Sequence, residues 1–410
     1  GKSRASGLGE EGLLLLGGKI PWQEVREEFL MSARVLYFVE GWGLGGVESV
    51  IMDIVRSAAF QSEGYSFDIF CICDWNNGYD DEIASLGGRR ITVFPGERPG
   101  IKDKFLSGMR GFKRLLESGQ YDIAHINVTN GLGLVYADLA RQYGINSRIV
   151  HSHNTYFDNP GYCIWAKRAG HAIGKILYSS APTQRIACSQ QAGEFVFGRR
   201  PFQVVKNGID VNRFAFNLRD RVDTRSSLGI APDVTLIGSI GKLNKRKNPL
   251  FQLRTFAEYL KHHANARFLM VGDGELGQQV DILAHELGVS DALIRVPSTP
   301  SPEKYYSALD ALIMPSLTEG FGLVAVEAQC SGLVVLASEA LPQDVAVTNT
   351  YRSIPLSSGE AAWSVALEDL LSLPRRRAEA AASIRGTSLD RDTMASTIVN
   401  IYKIDNKADK

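Results

Sequence analysis

From Arg34 onward, short runs rich in β-branched and aromatic residues alternate with longer segments whose apolar residues recur at helical spacing. A chain patterned this way buries its strands by covering both faces of a parallel sheet with the intervening helices. Residues 34–39 (RVLYFV) read as a strand, and Val47, Val50, Ile51, Ile54 and Val55 then fall at the i, i+3, i+4, i+7 and i+8 positions of a helix. Further strands are expected over 66–73, 91–94, 123–126, 147–151 and 185–188. An Asn-Gly turn signal within 204–210 (VVKNGID) precedes a fresh series, with strands over 234–240, 266–271, 311–314 and 334–337. Helical stretches are expected over 361–373, 376–384 and 393–402. The simplest architecture is α/β, with two doubly wound domains facing each other, and 410 residues suffice for two cores.

Composition narrows the function classes. The 45 Lys plus Arg balance 45 Asp plus Glu, so the chain lacks the basic excess of a protein held on nucleic acid by phosphate neutralisation. Five cysteines (Cys71, Cys73, Cys163, Cys188, Cys330) form no C-x-x-C pair and fit a reducing, cytoplasmic setting, Cys71 and Cys73 being strand residues. No run reaches the roughly 20 apolar residues that span a bilayer. Leu13 to Leu16 is too short for a signal-peptide core, and residues 1–30 read as a leader or upstream extension outside the fold.

Three motifs carry chemistry. Gly41, Gly43 and Gly46 form G-x-G-x-x-G between a strand and a helix, and Gly272, Gly274 and Gly277 form a second copy. Two copies in one chain weaken a nicotinamide-dinucleotide reading, and no acidic residue closes a strand about 20 residues beyond Gly46. What survives is that Gly45 and Gly46 leave helix amides approachable by an anion. The second motif places Lys242, Lys245, Arg246 and Lys247 directly after a strand. At that edge of an α/β sheet four cations suit a diphosphate, although a solvated basic loop would look the same. The third runs from Pro315 to Glu327, with Glu319 before a Gly-Phe-Gly turn and Glu327 eight positions on. With a helix starting near Phe321, Glu327 lies about two turns in, and the carboxylates can accept from sugar hydroxyls while free amides face phosphate.

Taken together, the chain resembles the retaining nucleotide-sugar glycosyltransferases of GT-B family 4 over residues 31–402. The matching residues are Gly45-Gly46-Val47-Glu48, His153-Asn154, Asn207-Gly208-Ile209-Asp210, the lysine cluster, Val271-Gly272-Asp273-Gly274 and the E-x7-E pair Glu319 and Glu327. The resemblance implies a GT-B fold, with an acceptor-side domain over 31–204, a nucleotide-sugar domain over 205–388 and a final helix over 389–410 packing back on the first. It implies that Glu319, Lys247 and His153 form the catalytic set, and that Gly45, Gly46, Lys242, Lys247, Phe321, Gly322, Leu323 and Glu327 bind the donor. Lys242 and Lys247 would hold the diphosphate, Glu327 the ribose, and Glu319 the transferred sugar. Lys242 stands where the family usually has arginine, Leu333 where proline is common, and Ala340-Leu341 where Gly-Gly is common.

The implied reaction moves a sugar from a nucleoside diphosphate, UDP being the commonest, to an acceptor hydroxyl with retention. Cations and helix amides would stabilise the leaving diphosphate, so no metal or other cofactor is expected. A carbohydrate or lipid-linked acceptor in polysaccharide or glycolipid synthesis is the expected partner, with no nucleic acid. A sugar-nucleotide epimerase, a phosphorylase or a non-catalytic sugar-nucleotide binder on the same architecture are the competing readings. The neutral total hides asymmetry: residues 31–82 carry two basic and nine acidic side chains, residues 141–200 eight basic and two acidic. The mixed apolar and basic stretches around Lys102 to Arg114 and Ile164 to Leu177 suit either an amphipathic helix packed on its own sheet or peripheral contact with an anionic inner-membrane face.

Overall fold

The computed structural model describes residues 33–407 except 44, 76–77, 120, 156, 158–163 and 375. The expectations for residues 1–30 and for Cys163 lie outside the described residues.

The first sheet holds β1 (Arg34–Trp42), β2 (Ser66–Asp74), β3 (Arg89–Phe94), β4 (Ile123–Val128), β5 (Ser147–Ser152), β6 (Gln184–Ala187) and β7 (Gln203–Val204), in the order β3-β2-β1-β4-β5-β6-β7. The second holds β8 (Thr235–Ile240), β9 (Ala266–Val271), β10 (Leu293–Val296), β11 (Ala311–Met314), β12 (Val334–Ser338) and β13 (Tyr351–Ile354), in the order β10-β9-β8-β11-β12-β13. Every pairing is parallel. Both sheets therefore reverse direction between their first and fourth strands, the place where open α/β sheets bind ligands beyond the carboxyl ends. The α/β GT-B arrangement of two Rossmann-like domains is present.

The interior strands β4, β11 and β12 are buried along their whole length, which is why their sequences read as unbroken apolar runs. Strands β7, β10 and β13 escape a sequence reading. Each is an edge strand of two to four residues, and none of their residues is fully buried, so a polar residue such as Arg295 or Arg352 costs nothing there.

Asn207-Gly208 departs from expectation. It forms no turn: the chain runs extended, Ile209 bridges Asp390, and a Cβ on Gly208 would stand 2.6 Å from the Arg391 nitrogen. Glycine serves there for close approach between two chain segments. The stretch expected to be helical over 376–384 is a 3-10 helix, Arg377–Ser383, tied down by the Arg377 guanidinium, which donates to the carbonyls of Tyr306, Leu309 and Ser331.

The last helix, Arg391–Lys407, packs Met394, Ile398, Val399 and Tyr402 into the apolar cluster formed by β1, β2 and the helix Gly46–Arg56. Its Asp405 carboxylate accepts from Ser147 Oγ (2.8 Å), Thr183 Oγ1 (2.5 Å) and Gln184 Nε2 (3.0 Å). The last described helix thus returns to the first sheet.

Candidate active site

The cation loop leaves β8 at Gly241, whose φ of 142° is open to glycine alone. The second glycine motif explains how the loop is held. A Cβ on Gly272 would stand 2.1 Å from the Gly241 oxygen, and one on Gly274 2.2 Å from the Leu243 oxygen. These glycines bring the loop after β9 against the loop after β8, where Leu243 N donates to Asp273 O and Leu276 N to Leu243 O. The G-x-G-x-x-G match is a backbone packing device here. Asn248 closes the loop in the left-handed region, with φ of 54°. Asn244 Oδ1 accepts from Lys247 N, and Gln252 Nε2 donates to Lys247 O, so the backbone that carries Lys247 is fixed on both sides.

The four cations divide. Lys247 Nζ lies 2.6 Å from Glu319 Oε1, and Arg246 Nη1 lies 3.1 Å from Glu319 Oε2. Lys242 and Lys245 are exposed and, among the described residues, make no ion pair. Two of the four cations are therefore engaged internally by one carboxylate, which no count of charges reveals. Ser316 Oγ adds a third hydrogen bond to Glu319 Oε1 at 2.7 Å. Glu319 is buried, and burial raises the pKa of its carboxyl, but Lys247 and Arg246 with the bonds from Lys247 and Ser316 more than offset this and hold it below the ordinary value. An ionised carboxylate with two cations and a hydroxyl is a preorganised polar site. A narrow crevice between the ends of β8 and β11 runs alongside, lined by Gly241, Lys242, Lys247, Gln252, Met314 and Ser316 among others.

The helix after this loop begins at Leu323, two residues later than the sequence suggests, because Gly322 takes a φ of 99° and acts as its N-cap. Glu327 consequently lies little more than one turn in. Its carboxylate accepts a 2.5 Å hydrogen bond from Tyr306 Oη and lies within the field of Lys247. Burial pushes its carboxyl up. Phe321 is buried, and Leu341 packs 3.1 Å from where a Gly322 Cβ would stand, so the leucine at the Ala340-Leu341 departure fills space beside the turn. Leu333 is wholly buried.

Across the cleft, the first sheet supplies His153. Its Nε2 lies 2.9 Å from Asn127 Oδ1, which can only accept, so Nε2 carries the proton and Nδ1 is left as a buried acceptor without a hydrogen-bond partner. Burial lowers its pKa to about 3, leaving it neutral. The ring of His151 lies against it, tilted by 39°, at 4.0 Å between centroids. His151 Nδ1 meets His125 Nε2 at 3.3 Å, and His125 Nδ1 meets Tyr402 Oη of the last helix at 2.5 Å. The two lobes touch here: a Cβ on Gly320 would stand 2.6 Å from the His153 carbonyl oxygen, and Thr155 Oγ1 donates to Glu319 O at 3.4 Å. Glu319, Lys247 and His153 are thus brought to one cleft, while Glu327 is bonded to Tyr306 on the helix behind the turn and Lys242 is exposed at the rim.

Gly45 and Gly46 meet a different fate from the one their composition suggests. Gly45 is the N-cap of the helix Gly46–Arg56, and Glu48, at its third position, folds back so that its carboxylate faces the amides of Gly43 and Gly45. A Cβ on Gly45 would meet Glu48 Oε2 at 2.5 Å. An internal anion already occupies part of the anion site. Gly46 is exposed and looks across the cleft at Leu323, 4.0 Å from a notional Cβ. Tyr306, Asn127 and the His125–His151 pair lie outside the sequence motifs; Glu48 and Ser316 lie inside two of them without a role assigned there, and only Glu48 carries a local signal for its role, as a capping glutamate three residues after an N-cap.

The model of "Glycosyltransferase Family 4" matches residues 44–213, and that of "Glycosyl transferases group 1" matches residues 220–386. "Putative glycosyltransferase EpsF" of Bacillus subtilis (strain 168) is 27% identical over 385 residues, covering 92% of this chain and 98% of its own. A D-inositol 3-phosphate glycosyltransferase of Actinosynnema mirum is 28% identical over 72% of this chain and 76% of its own. Among solved structures, WaaG, a glycosyltransferase involved in lipopolysaccharide biosynthesis, superposes with a TM-score of 0.71 at 16% identity over 90% of this chain and 99% of its own. HepE of Anabaena, solved with UDP, gives 0.70 at 17% over 90% and 100%. The two family models meet at the linker between the two sheets, and the chain belongs to the group 1 glycosyltransferases, of the family 4 kind.

Proposed function

We propose that the chain transfers a sugar from a nucleoside-diphosphate sugar, UDP-linked by preference, to a hydroxyl of a carbohydrate or lipid-linked acceptor in the cytoplasm, with retention at the anomeric carbon. The observation that carries this reading is the Glu319 cluster: a buried carboxylate held by Lys247, Arg246 and Ser316 at the carboxyl edge of the second sheet, closed over by His153 of the first. HepE, which shares the fold, was solved with UDP and with UDP-glucose.

In this reading the arriving diphosphate takes up Lys247 and Arg246 together with Lys242 and the amides of Phe321, Gly322 and Leu323, which frees Glu319 to accept from sugar hydroxyls. The developing charge on the leaving phosphate meets groups already fixed in place, where a donor is worth most. Glu327 binds the ribose. His153, neutral at any working pH, offers Nδ1 to a sugar hydroxyl. With three cations on the phosphates the reaction needs no metal, and the acceptor proton passes to the leaving phosphate. Roles in polysaccharide or glycolipid synthesis follow from the acceptor class.

A panel of UDP-, GDP- and ADP-sugars in a thermal-shift assay, followed by transfer and donor-hydrolysis assays in EDTA, tests this. UDP-sugars should raise the melting temperature, and turnover should depend on an added acceptor and survive chelation. Absence of a shift with every donor would overturn the reading. Product formation without acceptor would point to an epimerase instead, and abolition by EDTA would remove metal independence.

A further inference from the structure

The helix Ile164–Leu177 turns its apolar residues to solvent. Trp165 is 74% exposed, Ile176 77%, Leu177 60% and Ile173 51%, and the exposed Ala169 and Ala172 complete the same stripe at i, i+4, i+7, i+8, i+11 and i+12. Of the whole helix only Gly174 is fully buried. The alternative of an amphipathic helix burying its apolar face on its own sheet is therefore not what the fold adopts.

The reason lies in how the helix is attached. Its inner face is a glycine seam: a Cβ on Gly174 would stand 2.1 Å from the Gly131 oxygen, and one on Gly131 would stand 2.5 Å from the His171 oxygen. Backbone packs on backbone, so the large apolar residues have no place inward. A stripe about 20 Å long results, with more large exposed apolar side chains than any other helix presents among the described residues. Contiguous apolar surface of this kind marks an interaction site.

The charges around the stripe select its partner. Arg168 lies over the Trp165 ring at 5.6 Å. Gly198 lies beside Lys175, its notional Cβ 3.6 Å from Nζ, and is followed by the exposed Arg199 and Arg200. We propose that the outward face of Ile164–Leu177, with Arg168, Arg199 and Arg200 beside it, seats this protein on an anionic lipid surface. The apolar stripe enters the headgroup boundary and the arginines meet lipid phosphates. His171 and Gly174 pack on Gly131, just past the carboxyl end of β4, so docking sets that edge of the first sheet beside the membrane. That this presents a lipid-linked acceptor rests on the transferase reading; the binding itself does not.

The test uses the full chain in co-sedimentation with phosphatidylcholine vesicles and with vesicles containing phosphatidylglycerol. Wild type should bind the anionic vesicles at low salt, at least about tenfold more weakly on neutral vesicles, and lose binding as salt is raised. Ile173→Ser with Ile176→Ser should lower partitioning roughly tenfold or more while the melting temperature holds, because neither side chain packs inside. Arg199→Glu with Arg200→Glu should lower it by about tenfold at low salt and by little at high salt. Binding unaffected by the serine pair, equal binding to both vesicle types, or no binding to either would overturn the proposal. So would light scattering that shows a wild-type dimer made monomeric by the serine pair, since the stripe would then be a self-interface. Donor-induced thermal shifts unchanged in the serine pair separate this outcome from failure of the transferase reading.

Discussion

The two lobes are built on one strand order and differ in what they place at the same position of it. In the first, the loop after β1 folds an acidic side chain, Glu48, back onto its own helix amides. In the second, the loop after β8 carries Lys242, Lys245, Arg246 and Lys247, and a single carboxylate from another loop, Glu319, pairs with two of them. The first lobe also buries three linked histidines, whereas among the described residues the second buries none. Equal topology with opposite loop chemistry shows that strand order fixes where a ligand can lie and that the loops fix which lobe takes the anion.

The largest expected contrast is in acid. His125 and His153 have their pKa lowered to about 3 by burial, from an ordinary value of 6.5, and His151 is also lowered. Below pH 6.5 the unfolded chain binds protons that the folded lobe refuses, so stability is full above 6.5 and falls as pH drops toward 3. At pH 5 the loss is on the order of 4 kcal/mol. Urea titrations at pH 7 and pH 5, read by exchange at backbone amides of each lobe, should show the first lobe weakening first; equal weakening would break the comparison.

Next comes Glu319→Ala, which leaves Lys247 and Arg246 facing each other. Transfer should fall at least about 100-fold, with a lower melting temperature, and steady-state kinetics on the preferred donor would show it. Lys247→Ala should weaken the donor roughly 10- to 100-fold, and Lys242→Ala about tenfold at most, since Lys242 is exposed and, among the described residues, makes no ion pair. Equal losses at the two lysines would show that the internal pairing of Lys247 is irrelevant. The smallest effect belongs to Glu48→Gln. It should cost about 1 kcal/mol of stability as a weakened cap and, by removing an internal anion, tighten pyrophosphate roughly two- to threefold in a titration calorimeter. Weaker pyrophosphate binding would show that Glu48 organises the anion site instead of competing for it.

Much of this was legible in the residues. The strands over 266–271 and 311–314 match β9 and β11 to the residue, because buried parallel strands announce themselves as apolar runs. The edge strands β7, β10 and β13 were not legible, since such short runs of exposed or half-buried residues carry no such constraint. The E-x7-E spacing, the lysine cluster and His153 could be singled out in sequence. Their relations could not: nothing local says that Lys247 reaches a carboxylate 72 positions away, or that Glu327 bonds Tyr306. Gly272 and Gly274 match the pattern of a nucleotide fingerprint, a reading that the second copy already weakens, and they serve backbone contact with Gly241 and Leu243.

By itself, then, the sequence determined the two parallel sheets, the family and the residue types at the cleft, because periodicity and turn chemistry act over a few residues. Only the tertiary structure decided which charges are spent internally and which stay free. It also decided that the Ile164–Leu177 helix shows its apolar face outward, because glycines at Gly131 and Gly174 let the backbones meet and leave the large side chains nowhere else to go. Pairing across the cleft and packing across a seam depend on distances between residues far apart in the chain, which no local pattern records.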